Sequence, residues 1–429
     1  MLSSAKTDGK SDMEENADSP HNMVTLKRSL SLWKLVLYGV GTMLGAGIYV
    51  LISKIAGSAG MYAPLAFLVS AIIVSFSALS YAELSSRLPV SAGEVAYVNA
   101  AFHRKSLSIL MGIAVLTTGI VSAATISRGF AGYLNEFIEI QSVWSITILV
   151  LSVGVLAALG VDAAVGVVVA ITFVELAGVV FVIVGGAGEL ISAPRQLSEL
   201  VPPFDPGVMI TIVSGSFLAF YAFIGFEDMV NMAEEVRDVE KTLPKAIILA
   251  LVITTTLYLL VALVAVLTLP MEKLINSQAP FTDIVRHHGL IPAWLISLIS
   301  LVAVLNGVMV QVVMASRVLY GMGRQGFAPK ILGAVHLRTQ TPLWATGVTT
   351  VTVLVLALGF PIESLARGTS FVMLCVFIMV NAALIKLKRN ANPSQTAGVQ
   401  YPLYIPVLGV ILSALLLLME CLRFTGWYD

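Results

Sequence analysis

The sequence predicts an all-α polytopic membrane protein, and two observations carry that prediction. Of its 429 residues, 58% are hydrophobic and only 12% are charged, and the mean hydropathy is +0.93. Soluble proteins carry about twice that share of charged residues. The apolar residues also fall into eleven segments, each about 20 residues long, which is the length that a spanning helix needs.

The connections between these segments predict the orientation. A cytoplasmic amino terminus assigns most of the 25 Lys and Arg residues to cytoplasmic connections, where positive charge is favoured. We therefore expect a multi-pass protein of the plasma membrane with its carboxy terminus outside. Residues 1–27 are polar and are expected to form a disordered cytoplasmic tail.

The first span, 33–53, contains a glycine-rich stretch, GVGTMLGAGIY at 39–49. Each glycine in a helix interior costs roughly 1 kcal/mol relative to alanine, and lipid tolerates unwound backbone only inside protein or beside a wet cavity. A half-helix that begins after such a break presents free N–H groups, which suit an anion. The alternative is that the small residues only allow two helices to pack closely.

The sixth span, 208–232, is interrupted in the same way by small and polar residues at 214–227. Spans one to five and six to ten can be read as two halves, which must lie in opposite orientations because five is odd. Paired interruptions at corresponding positions indicate a transporter binding site. The expected division is a first repeat at 28–190, a second, inverted repeat at 191–389, and the eleventh span with the carboxy terminus at 390–429.

Four sequence blocks resemble a known family. They are GVGTMLGAGIY at 39–49, YAELSSRLP at 81–89, FYAFIGFE at 220–227 and RVLYGMGRQG at 317–326. Over roughly residues 26–389, the chain resembles amino-acid permeases of the amino acid–polyamine–organocation superfamily, nearest the cationic amino acid transporter-like branch. The resemblance implies a five-plus-five inverted-repeat transporter fold with broken helices 1 and 6.

The resemblance also implies where the substrate binds. The backbone N–H groups of Gly45, Ala46 and Gly47 would bind its carboxylate. The substrate's ammonium would bind to backbone carbonyls of Thr42 or Met43, Tyr221, Ala222 and Ile224. Elementary electrostatics agrees, because a helix amino terminus suits an anion and unwound carbonyls suit a cation. Tyr221 is expected to be either an aromatic gate or a buried tyrosine hydrogen-bonded between helices.

Recognition of the substrate's side chain is expected to come from spans three, six, eight and ten, where five residues are the polar candidates. They are Thr117, Thr118, Gly119, Asn306 and Gln311. The alternative is that these groups only form hydrogen bonds between helices. No deep acidic residue faces the expected side-chain pocket, so a neutral amino acid is favoured over a cationic one.

Glu175 lies about 12 residues into the fifth span, 163–188, where an unpaired charge costs at least ~2.5 kcal/mol. By resemblance, this is where proton-coupled relatives carry a lysine and sodium-coupled relatives bind their second sodium ion. Glu175 is therefore the candidate for proton coupling; the alternative is a structural hydrogen bond. Sodium is disfavoured because residues 301–314 contain no Ser or Thr.

Other charged residues have expected structural roles. Glu83, Arg87, Glu227, Asp228 and Arg317 are expected to form a cytoplasmic gate or to anchor loops. Cys375 and Cys421 are expected to be small packing residues, since their spacing fits neither a metal site nor a redox pair.

The predicted function is secondary active transport of a neutral amino acid by alternating access, coupled to protons. The alternatives are an amino-acid or amine exchanger without proton flux, and a channel or sensor on the same scaffold. The expected partners are a small-molecule amino acid, a proton and the lipid bilayer, with no nucleic acid, catalysis, cofactor or metal. Without a twelfth span, the chain is expected to be a monomer or to dimerise through the eleventh.

Overall fold

The computed structural model describes residues 28, 30–90, 93–159, 165–188, 200–289, 291–336, 338–390 and 398–426. The expected tail at 1–27 and the expected repeat boundary near 190 lie outside these residues. The α-helices of the described residues, in chain order, are α1 (Leu32–Ala46), α2 (Ile48–Ala59), α3 (Ala63–Arg87), α4 (Gly93–Phe102), α5 (Lys105–Leu134), α6 (Ser142–Ala158), α7 (Val165–Gly185), α8 (Pro206–Phe220), α9 (Val239–Thr268), α10 (Met271–Asn276), α11 (Pro280–His288), α12 (Ala293–Arg324), α13 (Leu343–Gly359), α14 (Ile362–Asn390) and α15 (Tyr404–Phe424).

Among the described residues, eight helical stretches are long and apolar enough to cross a membrane. One of them, Ile48–Arg87, contains both α2 and α3, which a short 3₁₀ turn at Gly60–Tyr62 connects. Three shorter apolar helices accompany them: Leu32–Gly45, Ser142–Ala158 and Leu343–Gly359. The all-α, multi-pass membrane class is therefore confirmed, whereas the count of eleven spans and the inverted repeat stay predictions.

The centre of the bundle is formed by α1, α2 and α8. Helix α1 packs against α7 and α9, while α8 packs against α2 and α3. Helix α5 packs against α12 and α14, and α12 also packs against α1. Aromatic rings fill the space beside α8, where Phe220, Phe226 and Tyr81 each lie 5.4–5.7 Å from the ring of Phe377. The two helices that the sequence predicts to be interrupted are thus each packed against several neighbouring helices.

The amino-terminal face of the bundle is the end at which α1 begins. There the N–H of Leu30 donates to the carbonyl of Glu235 at 3.0 Å, and the N–H of Arg237 donates to the carbonyl of Leu30 at 3.1 Å. Glu83 pairs with Arg87 and with Lys388 (2.7 Å), and it accepts a bond from the N–H of Tyr401 at 3.0 Å. Glu83 and Arg87 therefore anchor the segment before α15, as one of the two expectations for them stated.

The opposite face is the end at which α2 and α5 finish. Arg286 pairs there with Glu136, and Arg128 Nη1 donates to the carbonyl of Ala357 at 2.7 Å. The expectation for the cysteines was wrong: Cys375 and Cys421 are both exposed on the surface of the bundle. An apolar helix surface of this kind faces lipid in a membrane protein, so apolar surroundings in the sequence did not imply packing.

Candidate substrate site between the interrupted helices

The first interruption is a single residue. Helix α1 ends at Ala46, α2 begins at Ile48, and Gly47 lies between them with φ −120° and ψ −69°. The N–H of Gly47 donates to the carbonyl of Leu44 at 3.4 Å. A Cβ at Gly47 would lie only 2.3 Å from Cα of Ala222. Glycine is therefore required because the backbones of the two interrupted helices touch here.

The second interruption is longer. Helix α8 ends at Phe220, a 3₁₀ turn covers Tyr221–Phe223, and a second 3₁₀ segment covers Glu227–Glu235. Between them, Gly225 has φ +129°, which side-chain-bearing residues rarely adopt. A Cβ at Gly225 would also lie 2.9 Å from the carbonyl carbon of Thr42. The glycine thus permits both the bend and the approach to α1.

Hydrogen bonds join the two interruptions. The hydroxyl of Thr42 contacts the carbonyls of Gly39 and Gly225, each at 3.0 Å. The hydroxyl of Tyr258, on α9, contacts the carbonyls of Met43 (2.7 Å) and Ala222 (2.8 Å). Sequence reasoning missed Tyr258, because one tyrosine in a long apolar segment carries no distinguishing signal.

Tyr221 is fully buried and reaches across to α5. Its hydroxyl lies 2.9 Å from Oγ of Ser122 and 3.3 Å from the carbonyl of the same residue. The structure therefore shows the buried, hydrogen-bonded tyrosine that was one of its two expected roles. A gating role for Tyr221 stays a prediction, and nothing in the sequence pattern distinguishes Ser122 from the other serines of α5.

The predicted substrate-binding residues come together, but they pack directly against one another. The residues Thr42, Met43, Tyr221, Ala222 and Ile224 are all buried. A Cβ at Gly45 would meet the carbonyl of Ala303 at 3.1 Å. A cavity of about 500 Å³ lies nearby, toward the amino-terminal face, but none of the predicted binding residues lines it.

That cavity has an apolar inner end and a charged mouth. Val310 and Met314 on α12 lie at its inner end, about one and two turns, respectively, beyond the level of Gly307, which contacts Gly45. Its charged lining residues are Glu94, Asp228, Glu235 and Arg317. Burial raises the pKa of Glu94, on the short helix α4, from its ordinary 4.5 to about 7.

Glu175 on α7 is fully buried against the end of α1. Its Oε1 accepts a hydrogen bond from Nδ2 of Asn306 at 3.2 Å, and a Cβ at Gly45 would lie 3.4 Å from the same oxygen. Its Oε2 has no hydrogen-bond partner among the described residues. The structure therefore places the one deep carboxylate of α7 beside the first interruption.

The polar candidates for side-chain recognition differ in what they contact. Thr117 and Thr118 donate to carbonyls of their own helix, at Ile113 (2.8 Å) and Ala114 (3.0 Å). Asn306 is bonded to Glu175. Gln311 is different: its buried Oε1 has no partner among the described residues, and it lies 3.5 Å from the position of a Cβ at Gly119. Gln311 is thus the candidate with unused hydrogen-bonding capacity.

The opposite face is closed by a cluster around Arg367 on α14. Arg367 pairs with Glu420 of α15 at 2.9 Å and with Glu363 at 3.0 Å. Its Nη2 also donates to Oγ of Ser58 on α2 (3.1 Å) and of Ser214 on α8 (3.3 Å). One guanidinium therefore joins both interrupted helices to α14 and α15.

Beside that cluster lies a second cavity, of about 440 Å³, lined by residues that include Lys54, Thr211, Glu363 and Arg423. The protein is thus a polytopic membrane protein in which two interrupted helices meet, with a cavity toward each face. Comparison with protein families gives the particular family. Residues 30–426 match the model described as amino acid permease, and the chain belongs to this family.

Individual relatives are similar over most of the chain. A branched-chain amino acid permease of Bacillus subtilis is 28% identical, covering 94% of this chain and 91% of that protein. A protein named cationic amino acid transporter 3 of Arabidopsis thaliana is also 28% identical, over 88% of this chain and 65% of that protein. An uncharacterized transporter of Mycobacterium tuberculosis is 30% identical, over 84% of this chain and 81% of that protein. These names indicate a transporter and not an enzyme.

Proposed function

We propose that the protein is a secondary active transporter that carries a neutral amino acid by alternating access and is coupled to protons. The observation that carries the proposal is the direct contact between the two helix interruptions, at Gly47 against Ala222 and at Gly225 against Thr42. Backbone groups released from helical pairing at such a junction can bind both ends of a zwitterion. Membership in the amino acid permease family supports the substrate class.

In this proposal, the amides of Gly45, Ala46 and Gly47 bind the carboxylate. The ammonium binds to carbonyls from Thr42 or Met43 and from Tyr221, Ala222 and Ile224. Because these residues are packed together here, the interruptions must separate to admit the substrate. The cavity on the amino-terminal face, together with the Arg367 cluster that joins the interrupted helices on the opposite face, supports a state in which the substrate reaches the interruptions from the amino-terminal face. We place the amino terminus in the cytoplasm of a plasma-membrane protein with eleven spans, in two inverted repeats at 28–190 and 191–389.

Glu175 is the proposed proton carrier. An ionised carboxylate that accepts one hydrogen bond in a buried site is costly, and binding a proton removes that cost. Its position beside Gly45 lets a change of charge act on the end of α1. Uptake of the proton from one side and its release to the other would then favour one arrangement of the interrupted helix over the other.

The substrate's side chain is proposed to face α5 and α12. Gly119 lets α12 approach α5 closely there, Val310 and Met314 supply apolar surface, and Gln311 supplies an amide. The acidic residues that could pair with a cationic side chain lie at the cavity mouth instead. A neutral side chain is therefore favoured, as for the substrate in the name of the Bacillus subtilis relative.

The test is uptake into liposomes that contain the purified protein. Radiolabelled L-leucine, L-alanine and L-arginine are offered with and without an inward proton gradient, and with a protonophore. We expect a neutral amino acid to accumulate only with the gradient. Counterflow without any response to the gradient would identify an exchanger, and no movement of any amino acid would reject transport. Gly47→Val is the inactive control, because its side chain would collide with Ala222.

A further inference from the structure

The hydroxyl of Tyr258 lies between the two helix interruptions. It is 2.7 Å from the carbonyl oxygen of Met43 and 2.8 Å from that of Ala222, and the side chain is fully buried. The rings of Phe67 and Phe223 lie 5.5 and 5.2 Å from the Tyr258 ring. Packing on two sides therefore fixes where the hydroxyl is held.

Both carbonyls are released from helical pairing by the interruptions. In a continuous helix, the N–H of Gly47 would donate to the carbonyl of Met43, but it donates to that of Leu44 instead. If the 3₁₀ turn continued, the N–H of Gly225 would donate to the carbonyl of Ala222, but it donates to Oε2 of Glu227 instead. The carbonyl of Met43 is also among the last four of α1, which carry the negative end of the helix dipole.

One hydroxyl hydrogen cannot fully satisfy two carbonyl oxygens. Each carbonyl has two lone pairs, and the phenol oxygen can itself accept a hydrogen bond. Three oxygens from three different elements thus converge with a single hydrogen among them. A group with several hydrogens and a positive charge would complete this arrangement, and a primary ammonium has both properties.

We propose that the hydroxyl oxygen of Tyr258 accepts a hydrogen bond from the substrate's ammonium while the O–H of Tyr258 continues to donate to one of the two carbonyls. This inference rests on the proposed function, and it adds a side-chain ligand from α9 to a site otherwise made of backbone. Tyr258 then has two tasks. It joins the interruptions when the site is empty and binds the ammonium when the substrate is present.

The experiment compares amino acids with the same acids lacking the amino group. The probes are L-leucine, L-alanine and L-arginine with 4-methylpentanoate, propanoate and 5-guanidinopentanoate, measured for binding to the full-length protein in detergent. The quantity of interest is the ratio of the dissociation constant of the des-amino acid to that of its amino acid. Tyr258→Phe is expected to reduce this ratio about tenfold, the usual effect of a hydrogen bond to a charged group.

Tyr133→Phe is the matched control. It removes another buried hydroxyl, one that donates to the carbonyl of Tyr49 at 2.5 Å, and is expected to leave the ratio unchanged. A structural effect of Tyr258→Phe would weaken both ligands equally, and that result would overturn the proposal. The binding measurements are repeated with choline in place of sodium. If Tyr258→Phe changes the ratio only when sodium is present, the three oxygens bind a metal cation, and this result would also overturn the proposal.

Two further measurements keep the outcomes distinct. If Tyr258→Phe does not fold, Tyr258→3-fluorotyrosine keeps the hydroxyl but makes its oxygen a weaker acceptor, so the ratio should fall about twofold; an unchanged ratio would contradict the inference. If the wild-type protein binds none of the amino acids, the proposed function fails and this inference fails with it. If it binds one and Tyr258→Phe leaves the ratio unchanged, only this inference fails.

Discussion

The two faces of the bundle are held by different kinds of contact. On the amino-terminal face, a cavity of about 500 Å³ reaches toward the helix interruptions, past an apolar wall on α12. On the opposite face, Arg367 joins α2, α8, α14 and α15 through hydrogen bonds and ion pairs. The comparison shows that one side chain joins four helices on the closed face, whereas apolar side chains of α12, Val310 and Met314, line the approach from the open face. A single substitution of Arg367 should therefore be able to open the closed face and close the amino-terminal face.

The largest expected effect comes from Arg367→Ala. The side chains of Arg367 and Glu420 are each only 12% exposed, and removing one partner of a buried ion pair costs about 3 kcal/mol. The closed face should open. The buried reporter Ser216→Cys should then react with a water-soluble thiol reagent more than a hundredfold faster, while Ser108→Cys in the cavity should react more slowly.

Arg423→Ala is the matched control for that experiment. Arg423 contacts the same carboxylate at 3.3 Å, but its side chain is 40% exposed, so the pair should contribute little. Both exposed cysteines, Cys375 and Cys421, are first replaced by alanine to remove background labelling. Equal labelling of Ser216→Cys in the Arg367 and Arg423 variants would show that Arg367 does not hold this face closed.

The next effect concerns Glu94 at the cavity mouth, whose pKa burial raises from 4.5 to about 7. The unfolded chain loses this proton near pH 4.5 and the folded protein near pH 7. The contribution of Glu94 to the free energy of unfolding is therefore greatest below pH 4.5, where the carboxyl is neutral in both states. It falls by up to about 3 kcal/mol as the pH rises to 7. Glu94→Gln should remove this part of the decline in melting temperature between pH 5 and pH 8. Exposed Glu240→Gln should not, and identical pH profiles for the two variants would contradict the prediction.

Glu175→Gln should separate binding from coupling. A proton gradient of one pH unit can support about a tenfold accumulation of substrate by one-to-one symport, and the variant should lose it because glutamine cannot exchange a proton at this pH. Counterflow with equal pH on both sides should persist in the same preparation. Normal accumulation driven by the gradient would remove Glu175 from the mechanism.

The smallest effect is expected at the inner end of the cavity. Gln311→Leu removes the buried amide that faces Gly119, so L-glutamine and L-serine should compete a few-fold less well against L-leucine. Thr118→Val is the control, since the hydroxyl of Thr118 is bonded within its own helix. If Gln311→Leu leaves all three affinities unchanged, the side-chain pocket lies elsewhere.

The sequence predicted the interruptions because glycine and small residues have a direct backbone meaning. Gly47 and Gly225 lie at tight contacts or at a positive φ that disfavours side chains, and a single sequence reveals such residues without any knowledge of the fold. The family blocks then placed these interruptions within a known type of architecture.

The sequence could not predict which polar side chains meet across the bundle. Arg367 and Ser58 are 309 positions apart, and Tyr258 and Met43 are 215 apart. An isolated polar residue in an apolar helix has no periodic partner, so its role depends on tertiary packing alone. The same reasoning explains why Cys375 and Cys421 were misplaced: the two sides of a uniformly apolar helix are indistinguishable in sequence.

The backbone pairing of Leu30 with the segment at Glu235 and Arg237 limits how the protein can move. If α1 swung away alone, two main-chain hydrogen bonds at its start would rupture. If α1 and residues 227–237 rotated together as one rigid unit, both bonds would survive. The joint rotation has the lower energy because it keeps both hydrogen bonds. The start of α1 and the segment after the second interruption are therefore expected to move together at this face.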